Sequence, residues 1–281
     1  MTTSFKTGKV ILAGAGPGDP ELLTMKAARY LQNADVVLTD RLVSKQILTK
    51  FVKPEAELIH VGKQCRRRIS TSQQTINELM VEKALLGKLV VRLKGGDVSI
   101  FSNILDELET LVANNIPYEI IPGVTAALGA AAFAGIPLTA RGYATSVRFL
   151  TYYKSEIVTD EYWKELANTN DTLVFYMSSE TLLTVVEKLT GNHIHEEKLL
   201  AIIEQATTPF QHVRISNLYD FKRQFNGASF ISPTLIIIGK VVSLHENFKW
   251  KENSNNNEYY FKPMTSQLTP INNSEKITHV S

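Results

Sequence analysis

The strongest constraint on this chain is a pattern repeated through its first half: a short apolar run, a glycine-rich turn, then a segment of helical period. KVILAGA, Lys9 to Ala15, opens the series. Strands buried on both faces read as continuous apolar runs, and parallel neighbours need a crossover between them, so the alternation predicts a parallel, helix-covered sheet. Asp19 and Pro20 suit the N-cap and first position of a helix reaching Asn33, with Leu22, Leu23, Ala27, Tyr30 and Leu31 on its inner face. DVVLTD, ending at Asp40, and ELIHVGK, ending at Lys63, read as the next strands. A helix from about Thr71 to Leu86 follows, with Ile76, Leu79, Met80 and Ala84 as its stripe and Thr71 and Gln74 at capping-box spacing. KLVVRLKGGD, a helix near Ile104 to Asn114, and YEIIPGVTAALGAAAFAGIPL complete this half.

Beyond Gly142 the period is less regular. SVRFLTY, DTLVFYM, LLAIIEQA, QHVRISNL and SPTLIIIGKVVSL read as strands of a mixed sheet in a second α/β domain. The expected division is residues 1–142, residues 143–246, and a polar, disordered tail over 247–281 beginning in KENSNNNEYY.

At 281 residues the chain has room for two modest cores, and 44% apolar residues can fill them. A net charge of +2 argues against nucleic acid, which requires a concentrated basic face. Cys65 is the single cysteine, so no internal disulfide can form and a reducing compartment, the cytoplasm, is expected. The start, MTTSFKTGK, lacks the apolar core of a signal peptide, and no apolar run reaches the roughly 20 residues needed to span a bilayer.

Ligands of open parallel sheets bind beyond the carboxyl ends of the strands. Three such ends carry glycine turns here: Gly14-Ala15-Gly16-Pro17-Gly18-Asp19, Lys94-Gly95-Gly96-Asp97 and Pro122-Gly123-Val124-Thr125-Ala126. The first, with Asp40 ending the next strand, invites a dinucleotide reading. Pro17 counts against it by removing a donor, and Asp19 by placing a carboxylate where a pyrophosphate would sit. No Gly-Lys-Ser/Thr follows, so a triphosphate loop is excluded too. These turns suit a cofactor without phosphates, of which S-adenosylmethionine is one.

GAGPGDPELLT, DRLVS, VGK, VEKALLGKLVVRLKGGD and IPGVTAALGAAAFAGIPLTARGYATSVRFLT, in that order and spacing, resemble the uroporphyrinogen-III C-methyltransferases of the tetrapyrrole methylase family. TLVFYM, AIIEQATTP and SPTLIIIGKVVSL extend the resemblance over roughly Lys9 to Leu244. It implies two α/β domains with the cofactor in the cleft between them, usually a homodimer, and methylation of uroporphyrinogen III to precorrin-2. By position, Asp40 matches the family's proposed base and Lys63 its proposed acid. Cofactor contacts carry over to Pro17, Gly95, Gly96, Asp97, Ile100, Thr125, Ala126, Met177 and Ala206. The substrate is a polycarboxylate, and Arg pairs carboxylates bidentately, which makes Arg66, Arg67, Arg68, Arg141 and Arg148 candidates for holding it. Cys65 reads as a bystander, and His193 and His195 as surface residues; no metal is expected.

The chain departs from the family pattern in two places. After Asp97 it reads VSIFSNILDELE, where Pro-Phe and Gly-Arg-Gly-Gly-Glu are usual, so Val98, Ser99, Ser102 and Asn103 differ. Tyr152 and Tyr153 follow Thr151 where Gly-His is usual. A methylase of a later corrin intermediate, a diphthine-type enzyme with a protein substrate, a nicotinamide dehydrogenase and a binding-only paralogue remain open on these residues.

Overall fold

The computed structural model describes residues 7–64, 69–152 and 158–261. The chain divides into two compact units: Met1–Val124 with Phe261–Ser281, and Thr125–Tyr260.

In the first unit the elements run β1 (Lys9–Gly14), α1 (Met25–Asn33), β2 (Val36–Thr39), α2 (Lys45–Phe51), β3 (Glu57–His60), β4 (Lys63–Gln64), β5 (Ile69–Ser70), α3 (Gln73–Leu85), β6 (Leu89–Lys94), α4 (Ile104–Ala113) and β7 (Tyr118–Ile121). The main sheet has the order β3-β2-β6-β1-β7, and every pairing in it is parallel. Strand alternation sorts β1 between two cores. Ile11 and Ala13 pack with Ala27, Leu31 and Ile47 of α1 and α2, while Val10 and Leu12 pack with Ile76, Met80, Ala84 and Leu111 of α3 and α4. The chain leaves β1 toward β2 and leaves β6 toward β7, in opposite directions across the sheet. The carboxyl ends of β1 and β6 are therefore a topological switch point, where such sheets take ligands.

The second unit continues with α5 (Ala126–Phe133), β8 (Val147–Thr151), α6 (Asp160–Asn168), β9 (Thr172–Tyr176), α7 (Leu182–Gly191), β10 (Leu199–Glu204), β11 (His212–Asn217), α8 (Phe221–Gln224), β12 (Thr234–Gly239) and α9 (His245–Phe248). Its sheet has the order β11-β10-β12-β9-β8, antiparallel except where β8 meets β9. A parallel first sheet and a mixed second one agree with the sequence reading.

Several boundaries differ from that reading. Asp19 does accept a hydrogen bond from Glu21 N–H, but only a 3-10 turn, Pro20–Leu22, follows it. Thr24 then caps α1 by accepting from Ala27 N–H, a second start that ends the first. Ser72, not Thr71, caps α3, accepting from Thr75 N–H at 3.0 Å. The helix α5 belongs to the second unit, where Ala127, Ala130 and Ala131 pack with Val174, Ala201 and Ile237, so the units part at Val124 rather than near Gly142.

The supposed tail is also corrected as far as Phe261. Trp250 Nε1 donates to Ala132 O at 2.8 Å, and the Asn253 side chain both accepts from Val213 N–H (2.7 Å) and donates to Val213 O (3.0 Å). Gln205 clasps the same segment, donating to Glu258 O and accepting from Tyr260 N–H. Buried backbone and amide groups need partners, and Asn253 supplies them to the edge strand β11 at Val213. Residues 262–281 lie outside the described residues. No helix among the described residues is long and apolar enough to cross a membrane.

Candidate active site

The three glycine turns of the first unit meet one another. Gly16 and Gly96 form an antiparallel bridge, with Gly16 N–H on Gly96 O at 3.1 Å and Gly96 N–H on Gly16 O at 2.8 Å. A Cβ on Gly14 would lie 2.6 Å from Gly123 N and from Gly96 O. Glycine is required here because backbone packs on backbone, a closer approach than any side chain permits. The turns after β1, β6 and β7 thus form one surface. Gly95 lies against Leu42, which joins the segment after β2 to it.

Asp97 locks this junction. Its Oδ2 accepts from Gly123 N–H at 2.8 Å, and its Oδ1 accepts from Ser99 N–H at 2.8 Å and from the Ser99 hydroxyl. Burial pushes its carboxyl up, but the hydrogen bonds from Ser99, Gly123 and Val98 outweigh that and hold it below the usual aspartate range. The side chain expected to contact the cofactor is therefore also engaged in joining two turns. A depressed carboxyl stabilises the fold above its unfolded pKa, and that contribution disappears as pH falls through the folded value. Asp97→Asn is expected to flatten the acid limb of thermal stability between about pH 5 and pH 3. Melting temperatures across that range check it; an unchanged slope would contradict the clamp.

Beside the turns lies a buried ionic set. Arg92 and Lys94 alternate on one face of β6, and Glu107 projects from α4 to meet both. Arg92 Nε donates to Glu107 Oε1 at 3.1 Å, and Lys94 Nζ to Glu107 Oε2 at 2.8 Å. Burial draws the Lys94 ammonium below the usual lysine range, although Glu107 opposes the shift. From the same guanidinium, Nη2 donates to Asp40 Oδ1 at 2.6 Å. Asp40 keeps 27% of its side chain accessible, against 4% for Arg92. Asp40, Arg92 and Lys94 line a cavity of about 250 Å³ whose wall also includes Gly95, Ile100, Phe101 and Asn103. Phe101 and Asn103 both have left-handed backbone, φ 51° and 54°, a conformation that costs more at the bulky phenylalanine than at asparagine.

Sequence reasoning found Asp40 but not Arg92 or Glu107. A signal existed: two cations at i and i+2 in an otherwise apolar strand, and an acid at Glu107 on the same helical stripe as Ile104, Leu108 and Leu111.

The remaining candidates separate. Pro17 and Ile100 are half-buried at the first unit's carboxyl edge, with Gly95, Gly96 and Asp97. In the second unit, Thr125 and Ala126 begin α5, Met177 follows β9, and Ala206 follows β10. Met177 and Gln205 have positive φ, 53° and 50°, so two strand ends of this sheet carry strained bends. The Arg148 guanidinium bonds Asp171 and Glu165, both at 2.5 Å, and holds β8 to its own unit. Arg141 is exposed. Arg66, Arg67, Arg68 and Cys65 lie outside the described residues, as does the side chain of Lys63.

A doubly covered parallel sheet with fused turns at its switch point, followed by a mixed-sheet unit, defines a two-unit α/β enzyme. Residues 9–222 match the model of the tetrapyrrole (corrin/porphyrin) methylases, and the chain belongs to that family. A siroheme synthase of Saccharophagus degradans is 45% identical over 245 residues, which are 87% of this chain and 53% of that protein. The chain thus spans about half the length of the curated relatives it matches. The crystal structure of uroporphyrin-III C-methyltransferase from Thermus thermophilus complexed with S-adenosylhomocysteine superposes with a TM-score of 0.70 at 32% identity, covering 84% of this chain and all of that one. A cobalt precorrin-4 methyltransferase of cobalamin biosynthesis gives a TM-score of 0.73 at 28% identity, covering 83% and 95%.

Proposed function

We propose that this chain transfers methyl groups from S-adenosylmethionine to two carbons of uroporphyrinogen III, giving precorrin-2. The observation that carries the reading is the fusion of three backbone turns at the switch point of the first sheet, with Asp40 fixed beside them by Arg92. Likeness to a uroporphyrin-III C-methyltransferase over 84% of the chain supports the choice of substrate.

The residues present fit the cofactor. Asp19 and Pro20 close the start of the turn that follows β1, so its N-terminal end repels phosphate. In the first unit Gly95 offers backbone and Pro17 and Ile100 offer uncharged surface; in the second, Ala126, Met177 and Ala206 are uncharged too, and each lining suits an adenosyl group. When bound, S-adenosylmethionine supplies an electrophilic methyl group on a sulfonium.

Asp40 acts as the base, taking the proton that the macrocycle releases once its carbon has bonded the methyl. Arg92 aims that carboxylate by holding Oδ1, and Glu107 in turn anchors Arg92. Lys63 is the proposed acid, and Arg141 with Arg66 to Arg68 the proposed partners of substrate carboxylates. Positioning does the rest, since attack on a methyl group depends on holding two molecules in line.

Incubation with uroporphyrinogen III and S-adenosylmethionine is expected to yield precorrin-2, followed by absorbance and mass. Asp40→Asn should lower turnover about a hundred-fold while affinity for S-adenosylhomocysteine changes much less. Loss of both to the same extent would remove Asp40 from its role, and no methylated product would refute the substrate. The likeness to a cobalt precorrin-4 methyltransferase favours one second reading, a later corrin intermediate as acceptor; methyl transfer to cobalt precorrin-4 in place of uroporphyrinogen III would establish it.

A further inference from the structure

Helix α5 is capped from outside. Thr125 stands at its N-cap with extended angles, φ −66° and ψ 151°, the residue type and conformation that normally accept a first-turn N–H. Its hydroxyl makes no such bond. Ala127 N–H donates instead to the phenolic oxygen of Tyr176 at 3.0 Å, and the same oxygen lies 2.7 Å from Thr125 Oγ1. Tyr176 is the last residue of β9, and its ring rests edge-on against Phe149 with centroids 5.8 Å apart. Its carbonyl is fixed too, accepting from the Ser178 hydroxyl at 2.8 Å, while Ser178 Oγ accepts from Tyr152 N–H. Between those two anchors the chain turns through Met177 at φ 53°.

We propose that Tyr176 is a positioning residue for the cofactor: its hydroxyl ties the Thr125–Ala126 turn to the end of β9, so that this turn and Met177 form one preformed surface. The proposal rests on the reading that S-adenosylmethionine contacts Thr125, Ala126 and Met177. Strand pairing and ring packing need only a phenylalanine at this position. The hydroxyl is what holds the turn, and a surface fixed before binding loses less freedom when the ligand arrives.

Isothermal titration of the full chain with S-adenosylhomocysteine tests this, comparing Tyr176→Phe with Tyr219→Phe. Tyr219 is a matched control, because its hydroxyl donates to Ile194 O at 2.8 Å, away from the proposed contacts. Tyr176→Phe is expected to weaken binding about ten-fold, the effect of losing one cap hydrogen bond. The KM for S-adenosylmethionine should rise by a similar factor, with a smaller fall in kcat. Tyr219→Phe should lower the melting temperature comparably and leave affinity as it was. Affinity within two-fold of the unmodified protein in Tyr176→Phe, or equal weakening in both variants, overturns the proposal and leaves Tyr176 a structural residue. If the unmodified protein does not bind S-adenosylhomocysteine, the cofactor reading itself falls and takes this proposal with it.

Discussion

Gly123→Ala is expected to leave little folded protein. The new Cβ would lie 2.3 Å from Gly96 O and 2.9 Å from Gly14 Cα, well inside contact distance. Every atom it meets is backbone, and those atoms come from the ends of two other strands, β1 and β6, so no rotamer change can relieve the clash. Overpacking a core side chain typically costs about 1–3 kcal/mol, and here the cost should exceed about 4 kcal/mol because whole strands must shift. That is a large part of the roughly 5–15 kcal/mol that holds an ordinary domain together. Gly142→Ala is the comparison: φ is +84°, yet nothing lies within 4 Å of the added methyl. It should cost only about 1 kcal/mol, the penalty for left-handed backbone alone. Urea unfolding of both variants checks the contrast. Gly123→Ala within about 1 kcal/mol of the unmodified protein would mean the turns are not in contact.

Glu107→Ala is expected to destabilise the first unit by about 3–5 kcal/mol. Glu107 is fully buried, and the Arg92 and Lys94 side chains that share its carboxylate are each 4% exposed. Removing the acid leaves Lys94 without its counter-charge and Arg92 with Asp40 alone, in a site that excludes water, which costs far more than the set contributes when intact. Glu107→Gln keeps the shape and one acceptor, so it should fall between the two. Denaturant unfolding at neutral pH gives the size of the effect. A loss below about 1 kcal/mol in Glu107→Ala would show that the set is not energetically coupled. Since Arg92 also holds Asp40, the alanine variant should lose turnover beyond what its unfolded fraction explains.

What the sequence made legible follows from where the physical signal lies. The apolar runs of β1, β6, β10 and β12 are buried on both faces, so hydrophobicity alone marks them. The short helix α2 was missed because KQILTKF buries only Ile47 and leaves no stripe to detect. Assigning α5 to a unit was beyond sequence reading, since a run of alanines can pack on either sheet equally well. The three glycine turns were located by their residues, but the structure gives their glycines a reason the sequence did not: they make room for one another. The ionic set escaped notice because charges are read as surface until a structure shows the strand face they share. In the second unit, Tyr176 falls within the strand run DTLVFYM, and nothing in that run marks which helix its hydroxyl serves.

The Asn253 side chain has a consequence for how the protein behaves in a crowded solution. Its amide presents one donor and one acceptor to Val213, the same offer a neighbouring strand would make, and it occupies the outer rim of the mixed sheet. A foreign strand approaching that rim at Val213 finds both of its hydrogen-bonding groups already answered, which blunts sheet-to-sheet pairing between molecules at that point. Part of the stretch expected to be a disordered tail thus shields a sheet border, and shortening the chain before it should make that border stickier.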